Sequence, residues 1–220
     1  MRLARFDSVS RAWVAVSIGL VIAGCASGPS GPTTSSLCPP GNTPPVLAEV
    51  PLENGRLDVL PVPKVGDCWK YVRGSVMVVG MQEELVIYQW DTGARTYQKP
   101  QTNETVRRVD VSGNDTTFTP AFKDFDPPLF VSKQWTFLSP GQRGRNTFYV
   151  TVTVEALDDV QVVAGKFRAF KMVLRTRPSV GFPWEQSRTY WYSPEVRNIV
   201  KFEDAGFGAY KNELESYSLK

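Results

Sequence analysis

Apolar and polar residues alternate with a period of two through most of the chain from Pro61 to Lys220. In "TFYVTVTVEAL", Phe148, Val150, Val152 and Val154 fall on one face and Thr147, Thr151, Thr153 and Glu155 on the other. β-Branched residues in that alternation predict a half-buried strand. "DDVQVVAGKFRAFKMVLRTR" follows. Ala164-Gly165 reads as a turn between two extended arms, and Phe170, Met172 and Leu174 alternate with Lys171, Val173 and Arg175. Asp158-Asp159 reads as the turn that precedes Val160. "RTYWYSP", "NIVKFED" and "YKNELESYSL" continue the pattern. Upstream, "CWKYVRGSVMVVG", "EELVIYQWDTG", "ARTYQK" and "ETVRRVDVSGND" do the same, broken at Gly93, Pro100 and Gly113. Only Gln82 to Trp90 reads equally as helix or strand.

Consecutive short strands make an antiparallel meander, and its apolar face must be buried by curling, sandwiching or closure. The expectation is therefore a mainly β fold with few helices: about 9–11 strands in a single curled antiparallel sheet, a half-barrel or open barrel. Val150, Val152, Val154, Phe170, Met172 and Leu174 should share one interior. "VGDCWKYV" and "VSKQWTFL" both place a Trp two residues before an aromatic; we read this echo as coincidence.

The N-terminus follows another pattern. Arg2, Arg5 and Arg11 precede an apolar run from Ala12 to Ala23, and small residues follow it. A helix of that run is about 18 Å long against a hydrocarbon core of about 30 Å, too short to span. A basic start, a short apolar run and a small-residue site are the grammar of a secretory signal. From Ala26 to Leu60 there is no aromatic residue, whereas prolines and glycines recur (Pro29, Pro32, Pro39, Pro40, Pro44, Pro45, Pro51; Gly28, Gly31, Gly41, Gly55). Such a segment buries too little to offset its ordering entropy and reads as a tether. Val50, Leu52, Leu57, Val59 and Leu60 could begin to pack on the folded part. The expected organisation is signal peptide 1–24, lipidated cysteine and tether 25–60, and a β-rich domain 61–220.

Charge narrows the partners. Removing residues 1–24 leaves 22 basic and 21 acidic residues. That balance gives no support for nucleic-acid binding, which needs a basic face. The chain has no histidine, which removes the usual base of Ser and Cys hydrolases and the commonest zinc ligand. No phosphate-binding glycine loop and no Cys-x-x-Cys occurs, so neither a cofactor nor a metal is expected. The adjacent carboxylates Glu83-Glu84 and Asp158-Asp159 would point to opposite faces of a strand, and no catalytic residue is assigned.

Two cysteines lie beyond Cys25. Cys38 and Cys68 either pair in an oxidising compartment or remain a free tether thiol and a buried strand residue. In "TYWYSPEV", Tyr190 and Tyr192 share one face and Trp191 takes the other. All three are candidates to line a groove for an apolar ligand, since such rings offer large area with a polar tip; packing within a core would use them equally well.

The junction Ile22-Ala23-Gly24-Cys25 resembles the lipobox of bacterial lipoproteins. The resemblance implies cleavage before Cys25, a diacylglyceryl thioether on its sulfur and, with Ala rather than Asp at 26, an outer-membrane location facing the periplasm. "VEALDDVQVVAGKFRAFKMV" and "TYWYSPEVRNIVKFE" resemble a pattern in uncharacterised proteobacterial envelope lipoproteins, whose domains are distantly similar to the LolA/LolB carrier fold. The lid helices of that fold have no counterpart in this pattern. Together these expectations describe a non-enzymatic binding or structural module of the cell envelope, held to the membrane through Cys25, with an apolar ligand or an envelope protein as partner. The alternative is a histidine-free, carboxylate-based glycan hydrolase.

Overall fold

The computed structural model describes residues 37–39, 52–140, 147–205 and 210–220. Cys25, the signal segment and most of the tether lie outside the described residues. Twelve strands are described, and no helix: β1 (Cys68–Tyr71), β2 (Ser75–Gln82), β3 (Leu85–Trp90), β4 (Arg95–Gln98), β5 (Thr105–Val109), β6 (Asp115–Phe122), β7 (Gln134–Pro140), β8 (Thr147–Val162), β9 (Gly165–Pro178), β10 (Gln186–Ser193), β11 (Asn198–Asp204) and β12 (Tyr210–Ser218). They form one antiparallel sheet in the order β6-β5-β4-β3-β2-β1-β12-β11-β10-β9-β8-β7. Strands consecutive in sequence pair, except β6 and β7, and β1 also pairs with β12, Cys68 facing Ser218 across the ladder. The sheet curls into a barrel with one unsealed seam, between β6 and β7.

The count exceeds the expected range for two local reasons. "CWKYVRGSVMVVG" is a hairpin, not one strand. It turns at Gly74, whose φ of 94° suits glycine and whose added Cβ would sit 3.1 Å from Asp91 Oδ2. β6 carries Pro120, which an edge strand accepts because one side of its ladder needs no N–H. The ambiguous stretch after Gln82 is also a hairpin. Glu83 and Glu84 both take positive φ (50° and 64°), the geometry of a tight two-residue turn.

The six residues expected to share an interior do so. Val150, Val152, Val154, Phe170, Met172 and Leu174 are buried in one cluster with Tyr190, Tyr192, Phe125 and Leu129. Leu57 and Leu60 join it, and Leu57 exchanges two backbone hydrogen bonds with Leu129; Val59 stays exposed. A bulge between Val154 and Ala156 then changes the face that β8 buries. Beyond it Val160 and Val162, with Phe167 and Ala169 of β9, bury the opposite face and pack with Trp69, Val78, Val86 and Leu214. The hairpin tip docks there through Ala164 N–H to Leu214 O, 2.9 Å.

This arrangement corrects the reading of Asp158-Asp159. Both lie inside β8, and the turn comes later, after Val162. Cross-strand cations hold the segment extended: Asp159 is 2.9 Å from Lys166 Nζ and 3.3 Å from Arg168 Nη1.

Candidate binding cavities

The seam positions the interior site. Instead of a ladder between β6 and β7, the connection from Lys123 to Lys133 runs across the opening. Trp135 of β7 donates its indole N–H to Lys123 O at 2.9 Å. Lys133 Nζ contacts both the Asp126 carboxylate, at 2.9 Å, and the Asp126 carbonyl. The connection carries two side chains inward, Asp124 and Phe125. Phe125 is buried against Tyr192, their rings 5.0 Å apart and edge to face.

Two cavities lie inside the curled sheet. The first, about 410 Å³, is lined on its apolar side by Phe118, Phe122, Phe137, Phe148 and Trp184, and on its polar side by Arg108 and Arg188. The second, about 370 Å³, lies towards β1–β4 and β11–β12. Thr96, Asp124 and Tyr190 line both and form the partition between them. Each volume is within the size range of sites for small organic molecules.

The partition is electrostatically unusual. Asp124 is half-buried, lining both cavities, and among the described residues none donates a hydrogen bond to its carboxylate. Desolvation raises its pKa to about 6, against a lowering by the charge of Arg188. Arg188 is itself committed, its Nε donating to Asp204 Oδ2 at 2.9 Å beside Gln186 Nε2, 2.9 Å from Asp204 Oδ1. Burial and the neighbouring Asp124 push the Tyr190 phenol far above its ordinary range. Asp124 is the one acidic residue among the described residues lining either cavity.

The three aromatic candidates separate. Tyr190 lines both cavities. Tyr192 is fully buried in the core, its hydroxyl without a hydrogen-bond partner, so it supports the wall rather than lining a groove. Trp191 faces away from both, as its place between Tyr190 and Tyr192 on β10 requires; the Lys201 ammonium sits 4.8 Å from its ring centroid. Asp124 and Arg188, which the sequence reading did not single out, define the polar part of the site. The one local signal for Asp124 is a lone acid between Phe122 and Phe125.

A disulfide joins Cys38 to Cys68 beside β1. Next to it, Asp67 is fully buried and accepts from Lys64 N (2.8 Å), Lys220 N (2.7 Å) and Arg197 Nη1 (2.9 Å). Among the described residues no cluster of three or more Cys, Asp or Glu is placed to hold a metal ion, and no helix is long and apolar enough to cross a membrane.

No family model and no curated protein matches this sequence. Among solved structures, the hypothetical lipoprotein YmcC of Escherichia coli is similar at 12% identity, with a TM-score of 0.42 over 73% of this chain and 89% of that one. A lipoprotein candidate from Parabacteroides distasonis is similar at 15% identity, with a TM-score of 0.39 over 73% and 99%. Both are loose likenesses, and the functional reading below rests on this chain's own residues.

Proposed function

We propose that this protein is a lipid-anchored binding module of the bacterial envelope that holds a small, largely apolar molecule inside its curled sheet. One observation carries the reading: two cavities with aromatic walls, each partly open to solvent, meet at a half-buried carboxylate to which none of the described residues donates a hydrogen bond. A concave site walled by aromatic rings with a few polar groups is the usual form of a small-molecule site. A ligand would fill the open volume and partner the carboxylate. The lipobox at Ile22 to Cys25 supports the anchor, and Ala26 supports the outer membrane, facing the periplasm. The glycan-hydrolase alternative requires two carboxyl groups about 5–10 Å apart in one cleft; the cavities offer Asp124 alone, which favours binding over hydrolysis.

Native mass spectrometry of the mature chain isolated from cells tests the ligand. A bound species that is lost on unfolding supports the reading; a protein consistently free of ligand overturns it. The anchor is tested separately by metabolic labelling with an alkyne fatty acid. Wild type should incorporate the label and Cys25→Ser should not, with loss of membrane retention.

A further inference from the structure

The two cavities differ in charge. Both arginines line the first, whereas no Lys or Arg is among the described residues lining the second. Tyr71, Tyr88, Trp90, Phe202 and Tyr210 line the second, with Tyr190 on the partition. These rings are held in place. Phe202 lies between Tyr190, at 5.2 Å, and Tyr210, at 5.6 Å, and Tyr71 donates its hydroxyl to Ile199 O at 2.8 Å. Arg73 packs 5.0 Å from the Tyr210 ring without lining the cavity. Asn103, also in the lining, has a buried side-chain oxygen with no hydrogen-bond partner.

Two acceptors of this cavity, the Asp124 carboxylate and the buried Asn103 amide oxygen, and its aromatic walls favour the same sign of ligand charge. Aromatic faces carry negative potential and attract cations. Among the described residues neither the half-buried carboxylate nor the buried amide oxygen receives a hydrogen bond, and an acceptor left unpaired away from water is costly. We propose that the second cavity binds an organic ammonium group carried on a small molecule, with Asp124 as its counter-ion and the tyrosine and tryptophan rings as its walls. The inference rests on the reading that the cavities hold a ligand, and adds which chemistry enters the second cavity. The uncharged part of such a molecule would reach past Thr96 and Tyr190 into the first cavity.

The charges facing Asp124 decide its pH dependence. Arg188 from β10 opposes protonation and is itself paired with Asp204 of β11, while Arg108 from β5 lines only the first cavity. Binding the cation requires the ionised carboxylate. Affinity should therefore fall as the pH drops from 7.5 to 5, and the bound cation should hold Asp124 ionised to lower pH.

The test uses the mature chain isolated from cells, in dodecyl maltoside. Choline is titrated by calorimetry against its uncharged carbon isostere, 3,3-dimethylbutan-1-ol. The expected result is choline binding at least tenfold tighter than the isostere, a preference that Asp124→Asn abolishes and Trp90→Leu reduces severalfold. Equal binding of the two probes overturns the cation inference and leaves the apolar-ligand reading standing. Choline binding unchanged by Asp124→Asn also overturns it. Failure of both probes overturns it too, while mass spectrometry of the native protein judges the broader reading independently.

Discussion

Asp67 is buried and Asp124 half-buried, and their surroundings differ completely. Asp67, fully buried beside the disulfide, receives two backbone N–H groups and the Arg197 guanidinium. Those bonds tie together the approach to β1, the β10–β11 turn and the end of the chain. Asp124 lines two cavities and receives no hydrogen bond from the described residues, its pKa raised to about 6 by desolvation. A buried charge with good partners holds a structure together, whereas one without them costs stability. The first therefore belongs to the architecture. The second is the group that the proposed ligand would partner. Where a protein keeps a destabilising buried group, function is the first explanation to test.

The largest effect should come from placing a third carboxylate where there is neither partner nor cavity. Val152 is fully buried between Val150 and Val154. Val152→Asp should cost at least about 4 kcal/mol or prevent folding, because it buries an uncompensated charge. Urea midpoints measure it. A cost near that of a surface substitution would mean that this interior is wet, removing the contrast with Asp124.

Asp67→Ala should come next, at about 3–4 kcal/mol, since it strands Arg197 and two backbone donors. Urea midpoints at pH 7 decide this, and a change under about 1 kcal/mol would mean that the three bonds to Asp67 do not hold the fold together. Reduction of the Cys38–Cys68 disulfide, which closes a separation of 30 residues, should cost about 3–4 kcal/mol by loop entropy. Thermal melts with and without dithiothreitol measure it; unchanged melting would show that the bond does not constrain the unfolded chain.

Asp124→Asn should act in the opposite direction and stabilise the unliganded protein by about 1–2 kcal/mol at pH 7.5, because its carboxyl is held at about 6 rather than near 4 and partial exposure screens some of the cost. The sign follows from linkage. The folded chain holds the Asp124 proton up to about pH 6, and the unfolded chain releases it near 4. Between those values the folded state binds more protons, so the carboxyl's contribution to stability improves as pH falls through this window and worsens as it rises. Subtracting the Asp124→Asn curve from the wild-type curve isolates that trend. A flat difference would place Asp124 in ordinary solvent.

Local physics explains what the sequence made visible. The alternation in β8 and β9 was legible because each residue's face is decided by its own neighbours, and all six residues expected inside are buried together. The β1–β12 pairing was not, because it joins Cys68 to Ser218 and no local pattern encodes a partner so far away. The bulge at Val154/Ala156 hid the fate of Asp158-Asp159 by reversing the buried face within one strand. Asp124 was hidden for another reason. It lies on a connection, where no periodicity says which way a side chain points, and its importance depends on rings drawn from strands across the sheet. The Trp69/Trp135 echo has a counterpart: each Trp is the second residue of a strand and donates its indole N–H to a backbone carbonyl, Val196 O and Lys123 O. One half of the pair lies in the packed core, the other at the seam.

The smallest predicted effect is the most sensitive to register. Thr153 follows Val152 and faces the other way, opposite Gln134, whose side-chain amide donates to its hydroxyl at 3.1 Å. A carboxylate at 153 can accept the same hydrogen bond. The flanking charges compensate: Glu155 on β8 already faces Lys171 at 2.9 Å and Arg175 at 3.7 Å. Thr153→Asp should therefore change stability by about 0.5 kcal/mol or less, against the much larger cost of Val152→Asp one position away. Urea midpoints of the two variants, taken in parallel, measure the difference. A slip of one residue in the β8 register would exchange the two outcomes. Equal damage from both would mean that β8 is covered on each face near its centre, and the wall beside Asp124 would then be a packed layer rather than a single sheet.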